Sequence, residues 1–372
     1  MGHIANDKEE VYMALAERLH KNPVGAPVNE VLMEILHRLY TEGEAMVGSK
    51  FPMVPIRLNK IAAITGIKEE TLKETLDSMS DKGLVQELPA KKGTYYMLTP
   101  MVVGFFEFTF MRVRDEIKNM RELAELFERY FRRPEVGEEF TGTATKLMKA
   151  LVYESLIPAI VETEVLSYEK ASEIIRQSGR GALSLCACRH KASHLGRTCD
   201  AGAPMETCTT LGDTADWLVS RGMARPAAVD ELLQVLDQTE KLGLVHLGDN
   251  VLNQPAYLCH CCGCCCEALR PTRKHGKLFA HPSNFIPALD QDGCSACGTC
   301  ADSCQIKVIT MRDDGSGVEV PEINKETCIG CGVCASACPN GALTMSRRPV
   351  LHVPPKNKME LFTRIAREKG KI

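Results

Sequence analysis

Cys294-x-x-Cys297-x-x-Cys300-x-x-x-Cys304 is followed by Cys328-x-x-Cys331-x-x-Cys334-x-x-x-Cys338-Pro339, and the second run repeats the first at one constant offset. A cysteine at every third position lets a tight loop wrap one face of an inorganic cube while backbone amides point at its sulfides. Thiolates are the ligand type that suits iron–sulfur chemistry. Zinc sites and disulfides compete to explain any cysteine-rich segment, but a duplicated four-cysteine run closed by proline fits neither well. The pattern reads as two [4Fe–4S] sites, three cysteines of each run holding one cube and the fourth holding the other. By analogy, Cys294, Cys297, Cys300 and Cys338 take one cluster, and Cys328, Cys331, Cys334 and Cys304 take the second. Every ligand position holds cysteine, so both are expected to be closed electron relays. Ile306, Val308, Ile309, Ile329, Val333 and Leu343 would keep water away from them.

Outward from that repeat, the 372 residues are enough for two to four domains. The formal net charge of -3 points to neither nucleic acid nor an anionic surface. Eighteen cysteines in so large a chain, with no apolar leader after Met1-Gly2-His3 and no bilayer-length apolar stretch, suggest metal ligation in a reducing, anaerobic cytoplasm.

The first part is helical in pattern, with Val11, Leu15 and Leu19 on one face and Val31, Leu32, Ile35, Leu36 and Leu39 on another. Ile56 to Ile67 reads as a short helix ending at a glycine turn, and a longer helix runs through Leu72, Leu76, Met79 and Leu84. Val85–Leu88 and Thr94–Leu98 read as strands around the Lys91-Lys92-Gly93 turn. Helix, turn, helix and hairpin resemble a winged helix–turn–helix. Its second helix carries Glu69, Glu70, Glu74, Asp77 and Asp81, the wrong sign for phosphate, although Arg57, Lys60, Lys91 and Lys92 remain available. DNA is therefore disfavoured as a partner. Gly104 to Met111 concentrates four phenylalanines and reads as a segment buried between domains rather than a cofactor box. A helix through Ile117, Leu123, Leu126 and Phe127 follows, then a linker at 134–145. The tail from 347 onward is expected to be a docking arm or a frayed end.

Ten further cysteines lie in the middle: Cys186, Cys188, Cys199 and Cys208 are spread out, and Cys259, Cys261, Cys262, Cys264, Cys265 and Cys266 are crowded. In extended chain neighbouring side chains point to opposite faces, so the crowded run cannot line one side of one cube. Gly263 permits a reversal. These ten are candidate ligands for one or two additional iron–sulfur clusters. Zinc is the alternative, with Cys186, Cys188, Cys199 and Cys208 as its set. His190, His194, His246 and His260 are candidate ligands, proton donors or structural groups, and Arg189 could offset an anionic cluster. Helices from Asp213 to Gly222 and from Ala227 to Leu242, with a strand at Leu244-Val245-His246, complete a small domain expected to be mostly helical.

These motifs together resemble a family of ferredoxin-like proteins from anaerobic bacteria. The residues that carry the likeness are Cys186-Ala187-Cys188-Arg189-His190-Lys191, His194-Leu195-Gly196, Cys199-Asp200, Gly243-Leu244-Val245-His246 with Asn250, and Cys259 to Cys266. The resemblance implies an α+β multidomain chain: a helical winged-helix-like domain (1–133), a cysteine-rich iron–sulfur domain (134–280), a ferredoxin domain with two [4Fe–4S] clusters (281–346) and a tail (347–372). It also implies an electron carrier or oxidoreductase subunit, with an oxidoreductase or a flavoprotein as redox partner. Gln305 replaces the proline expected after Cys304, and His260 stands where asparagine is expected. No nucleotide-binding glycine motif appears. Two other functions stay open: a reductase with a substrate-binding cluster in the middle domain, and a redox-sensing winged-helix regulator.

Overall fold

The computed structural model describes residues 2–113, 119–165, 167–313, 315 and 317–372. Ile117, assigned above to a helix, lies outside them.

Helices α1 (Gly2–His20), α2 (Glu30–Leu39) and α3 (Glu42–Ser49) bury Leu15, Leu19, Ile35 and Leu36 against one another. Asn29 caps α2, and a Thr41/Glu44 capping box starts α3, satisfying amides the helices leave free. Strand β1 (Ile56–Arg57), helix α4 (Leu58–Thr65), a left-handed Gly66, helix α5 (Glu69–Asp81) and the hairpin β2 (Val85–Ala90) and β3 (Gly93–Leu98) follow. The pairing order β1-β3-β2 adds a third strand to the two visible in the sequence. A π-turn at Met101–Phe105 leads into α6 (Phe106–Phe110), then α7 (Met120–Phe131). The stretch read as a linker is helical over α8 (Pro134–Thr141): Pro134 takes the first turn, where it needs no amide partner, and Val136 is buried.

The middle part departs most from expectation. It is not mostly helical but built on a seven-stranded sheet: β4 (Met148–Leu151), β5 (Gly181–Leu185), β6 (Glu206–Leu211), β7 (Arg225–Ala227), β8 (Val245–Asp249), β9 (Tyr257–Cys261) and β10 (Ala280–His281). The order is β10-β4-β8-β9-β6-β5-β7, antiparallel except for β10 beside β4. Helices α9 (Ala171–Ser178) and α12 (Val229–Lys241) cover one face through Ile174, Ile175, Leu232 and Leu236. Helices α10 (Ala187–His194) and α11 (Gly212–Ser220) run from the ends of β5 and β6. All five residues of β8 and four of five in β5 are buried, so the in–out alternation that marks a half-exposed strand is absent.

After α13 (Arg270–His275) the chain forms two hairpin-like pairs, β11 (Phe285–Leu289) with β14 (Leu343–Arg347) and β12 (Ile309–Asp313) with β13 (Glu319–Ile323). Two short helices, α14 (Thr299–Ser303) and α15 (Val333–Ser336), repeat each other. The tail docks within the chain. The His352 N–H donates to Asn284 Oδ1, the Leu252 and Asn253 amides donate to the carbonyls of Pro355 and Lys356, and α16 (Lys358–Glu368) buries Leu361 and Ile365. Lys369 and Lys371 then reach Glu139, and Lys371 also donates to the carbonyls of His20 and Asn22. Among the described residues no helix is long and apolar enough to cross a membrane.

Candidate metal centres

In the C-terminal part the duplicated loops take matching shapes. Gly298 and Gly332 begin the two short helices in the left-handed region, and Ala296 adopts φ 55° where the second loop has Gly330. An alanine there accepts strain that the turn requires. The turn aims backbone N–H groups at sulfur, Ala296 to Cys294 Sγ at 3.4 Å and Val308 to Cys304 Sγ at 3.5 Å. Cys294, Cys297, Cys300 and Cys338 surround one small cavity. Cys304, Cys328, Cys331 and Cys334 form the second group, close enough for the charge on each to act on the others. Burial pushes the Cys331 thiol up to about 12 and Cys334 higher, an environment that favours the thiolate only when a cation is beside it. Cys297 is exposed, whereas Cys304, Cys328 and Cys334 are buried. The first group therefore meets solvent and the second faces the rest of the molecule.

The ten middle cysteines separate into two sets. Along β9 side chains alternate, which sends Cys259 and Cys261 to one face and His260 to the other. Cys208 on β6 lies beside Cys259 across the sheet, Cys186 caps α10, Cys188 sits in its first turn, and Cys266 returns to the same space. Hydrogen bonds from Cys208 and Cys261 pull Cys259 well below the usual thiol range, and those from Cys188 and Cys261 do the same for Cys266. Burial instead pushes Cys186 up to about 11. These six cysteines border one cavity of about 120 Å³, which Cys262 also touches, the scale at which an apolar void can house a small rigid body. The second set is Cys199, Cys262, Cys264 and Cys265. Grouping Cys186, Cys188, Cys199 and Cys208 as one zinc set is therefore corrected: a helix and two turns carry Cys199 away from the other three.

The residues following Cys188 each anchor this arrangement. Arg189 is 3% exposed, donates to the carbonyl of His260 at 3.0 Å and to Thr207 Oγ1. Among the described residues no carboxylate pairs with it; the charges facing it are those of Cys186, Cys262 and Cys261. A buried guanidinium without a carboxylate fits an anionic metal–thiolate centre beside it. His190 bonds the Phe110 carbonyl at 2.8 Å and His194 at 3.1 Å. Lys191 is wholly buried between Glu128 and Glu267. His260 meets Thr239 Oγ1 at 2.9 Å and His246 edge-on, away from the sulfurs, and burial holds both imidazoles neutral, His246 at about 3. The ring nitrogens of His190 and His260 are thus both taken up by protein partners, Nε2 of His260 by Thr209 Oγ1 at 3.3 Å.

The phenylalanine segment is buried, as expected, and also walls the cavity. Phe106, Phe108 and Met111 line it together with Phe131, Phe140 and Phe279. Glu107 stands in that wall, bonded to the Gly104 amide at 2.8 Å, and burial pushes its carboxyl up to about 8. Nothing in the sequence marked Glu107.

Gln305 joins the two halves. Its side-chain oxygen accepts from Gly263 N–H at 2.7 Å and its nitrogen donates to the Gly243 carbonyl at 2.8 Å. Gly263 is needed for close approach rather than for a left-handed turn, since a Cβ there would lie 2.1 Å from the Gln305 carbonyl oxygen. Tyr153 N–H also donates to the Cys331 carbonyl at 3.2 Å, and its hydroxyl to Leu244 at 2.7 Å.

Residues 293–342 match a family model described as a 4Fe-4S dicluster domain, and all eight cysteines of the duplicated runs lie within them. The C-terminal part is thus similar to iron–sulfur proteins of ferredoxin type. Comparison with curated proteins and with solved structures returned no match.

Proposed function

We propose that the chain is an iron–sulfur electron-transfer protein or redox subunit, relaying single electrons between oxidoreductase or flavoprotein partners in anaerobic, cytoplasmic metabolism. Two [4Fe–4S] clusters would be held by the cysteine sets given above, and a further cluster by ligands drawn from Cys186, Cys188, Cys208, Cys259, Cys261 and Cys266. When bound, such clusters supply one-electron transfer at potentials set by charge, hydrogen bonding and exposure. The chain's own residues then exclude water around the buried set and leave Cys297 open to a partner.

The observation that carries the reading is Gln305, next to Cys304, bonded into the middle of the cysteine-rich run at Gly263. It fastens the inner ferredoxin-type loop against the segment that supplies Cys261 and Cys266. The helix–turn–helix and hairpin at 56–98 would serve, on this reading, as a winged helix used for docking. Asp77, Asp81 and Glu87 are engaged by Arg221 of the sheet domain, and Glu69, Glu70 and Glu74 are exposed, a surface that repels phosphate. Iron and sulfide analysis of anaerobically purified protein, with low-temperature EPR during reductive titration, tests the proposal. At least about twelve irons and three reducible centres are expected; about eight irons with only ferredoxin-type signals would leave the cavity without a cluster and sink this assignment.

One observation favours a second reading. The cavity wall is aromatic and carries the buried acid Glu107, an arrangement suited to holding a small apolar substrate beside a reducing centre. A change in the EPR signal of the middle centre on adding small apolar electron acceptors would favour that reductase over a carrier.

A further inference from the structure

We propose that Cys199, Cys262, Cys264 and Cys265 bind one zinc ion in a closed tetrathiolate site, separate from every iron–sulfur cluster. The four sulfurs all lie within 4.8 Å of one another, with Cys199 and Cys264 at 3.8 Å and Cys264 and Cys265 at 3.6 Å. With Zn–S bonds of about 2.3 Å, tetrahedral thiolates stand about 3.8 Å apart. Thiolates on the corners of an iron–sulfur cube stand roughly 6 Å apart, because four irons and their sulfides lie between them. This set closes around a single ion.

The surroundings agree with that geometry. Four thiolates around a divalent ion leave two negative charges, and the buried Arg189 guanidinium faces Cys262 electrostatically, with no carboxylate partner among the described residues. Ala192, Leu244, Leu242, Ala201 and Ala203 pack around the set, burying Cys262 and Cys265 and leaving Cys199 and Cys264 partly exposed. No fifth donor is needed, which marks a structural site, and zinc has no electronic preference that adjacent ligands such as Cys264 and Cys265 would violate. The ion would join the turn after α10 to the segment after β9, sites 65 residues apart. It would thereby fix the backbone between Cys261 and Cys266, which both face the six-sulfur cavity.

The test uses the full chain, purified anaerobically and dialysed exhaustively against a chelator. One retained zinc per chain is expected, with zinc-edge X-ray absorption showing four sulfur neighbours at about 2.3 Å. Cys264→Ala should lower zinc at least fivefold while iron and sulfide per chain stay unchanged. Loss of about four irons in that variant would assign the set to a cube and overturn the proposal. Wild-type protein with no zinc, or with a lone iron at this position, would overturn it too. If Cys264→Ala does not fold, the wild-type zinc content and absorption edge still decide.

Discussion

Replacing Gln305 by alanine should loosen the seam between the C-terminal iron–sulfur part and the sheet domain by a predictable amount. The substitution leaves the buried Gly263 N–H without its acceptor at 2.7 Å, a loss of about 1–3 kcal/mol. It also removes the bond to the Gly243 carbonyl at 2.8 Å, worth about 0.5–1.5 kcal/mol. A combined local effect of about 2–3 kcal/mol corresponds to a roughly 30- to 150-fold faster opening-limited exchange of the affected amides. Hydrogen exchange read by mass spectrometry under anaerobic conditions, on peptides covering 243–249 and 259–266, measures it directly. Gln305→Glu sharpens the test: it keeps an acceptor for Gly263, sets an oxygen against the Gly243 carbonyl and buries a charge. It should therefore be no better than alanine. Exchange within twofold of wild type in Gln305→Ala would refute the claim that this side chain holds the seam.

Two further outcomes follow from charges elsewhere. Arg189→Gln removes the cation beside the middle sulfurs, so the midpoint potential of that centre should fall by on the order of 50 mV in an EPR-monitored titration, with Arg189→Lys closer to wild type. An unchanged midpoint would show that the guanidinium does not act on the centre. For the tail, burial holds His352 at about 3 against 6.5 when free, with its Nε2 2.7 Å from Asn250 Oδ1. Its folded-state value is depressed, so docking of residues 349–372 is complete above about pH 6.5 and weakens as pH falls toward 3. Limited proteolysis across that window should show the release in wild type and a flatter profile in His352→Gln; identical profiles would remove His352 from the latch.

The duplicated cysteine runs were fully legible because ligand spacing is a local property of a loop. Amphipathic helices such as α12 were legible too, since one face meets water. The sheet was not. Residues in β5 and β8 are covered on both faces, and β9 reads as a cysteine cluster rather than as a strand, so no period-2 signal survives. That one omission hid how the sulfurs sort, because alternation along β9 and the neighbourhood of Cys208 and Cys259 decide it. Glu107 and the partners of Lys191, Glu128 and Glu267, were beyond reach for a different reason: they meet only through long-range packing. The Gln305 departure was visible as an oddity, but its two bonds cross 42 and 62 positions of chain.

Tyr153 has one more implication. It stands two residues beyond β4, within the sheet domain, and its amide and ring reach the Cys331 loop and the Leu244 backbone together. Along with Gln305, it ties the inner thiol group to the sheet domain at two separate points. If electrons pass between the two halves as proposed, these ties hold the two sides of that step together. Raising solvent viscosity should leave that internal step unaltered, and any viscosity or salt dependence of turnover then belongs to the encounter at the exposed Cys297 end.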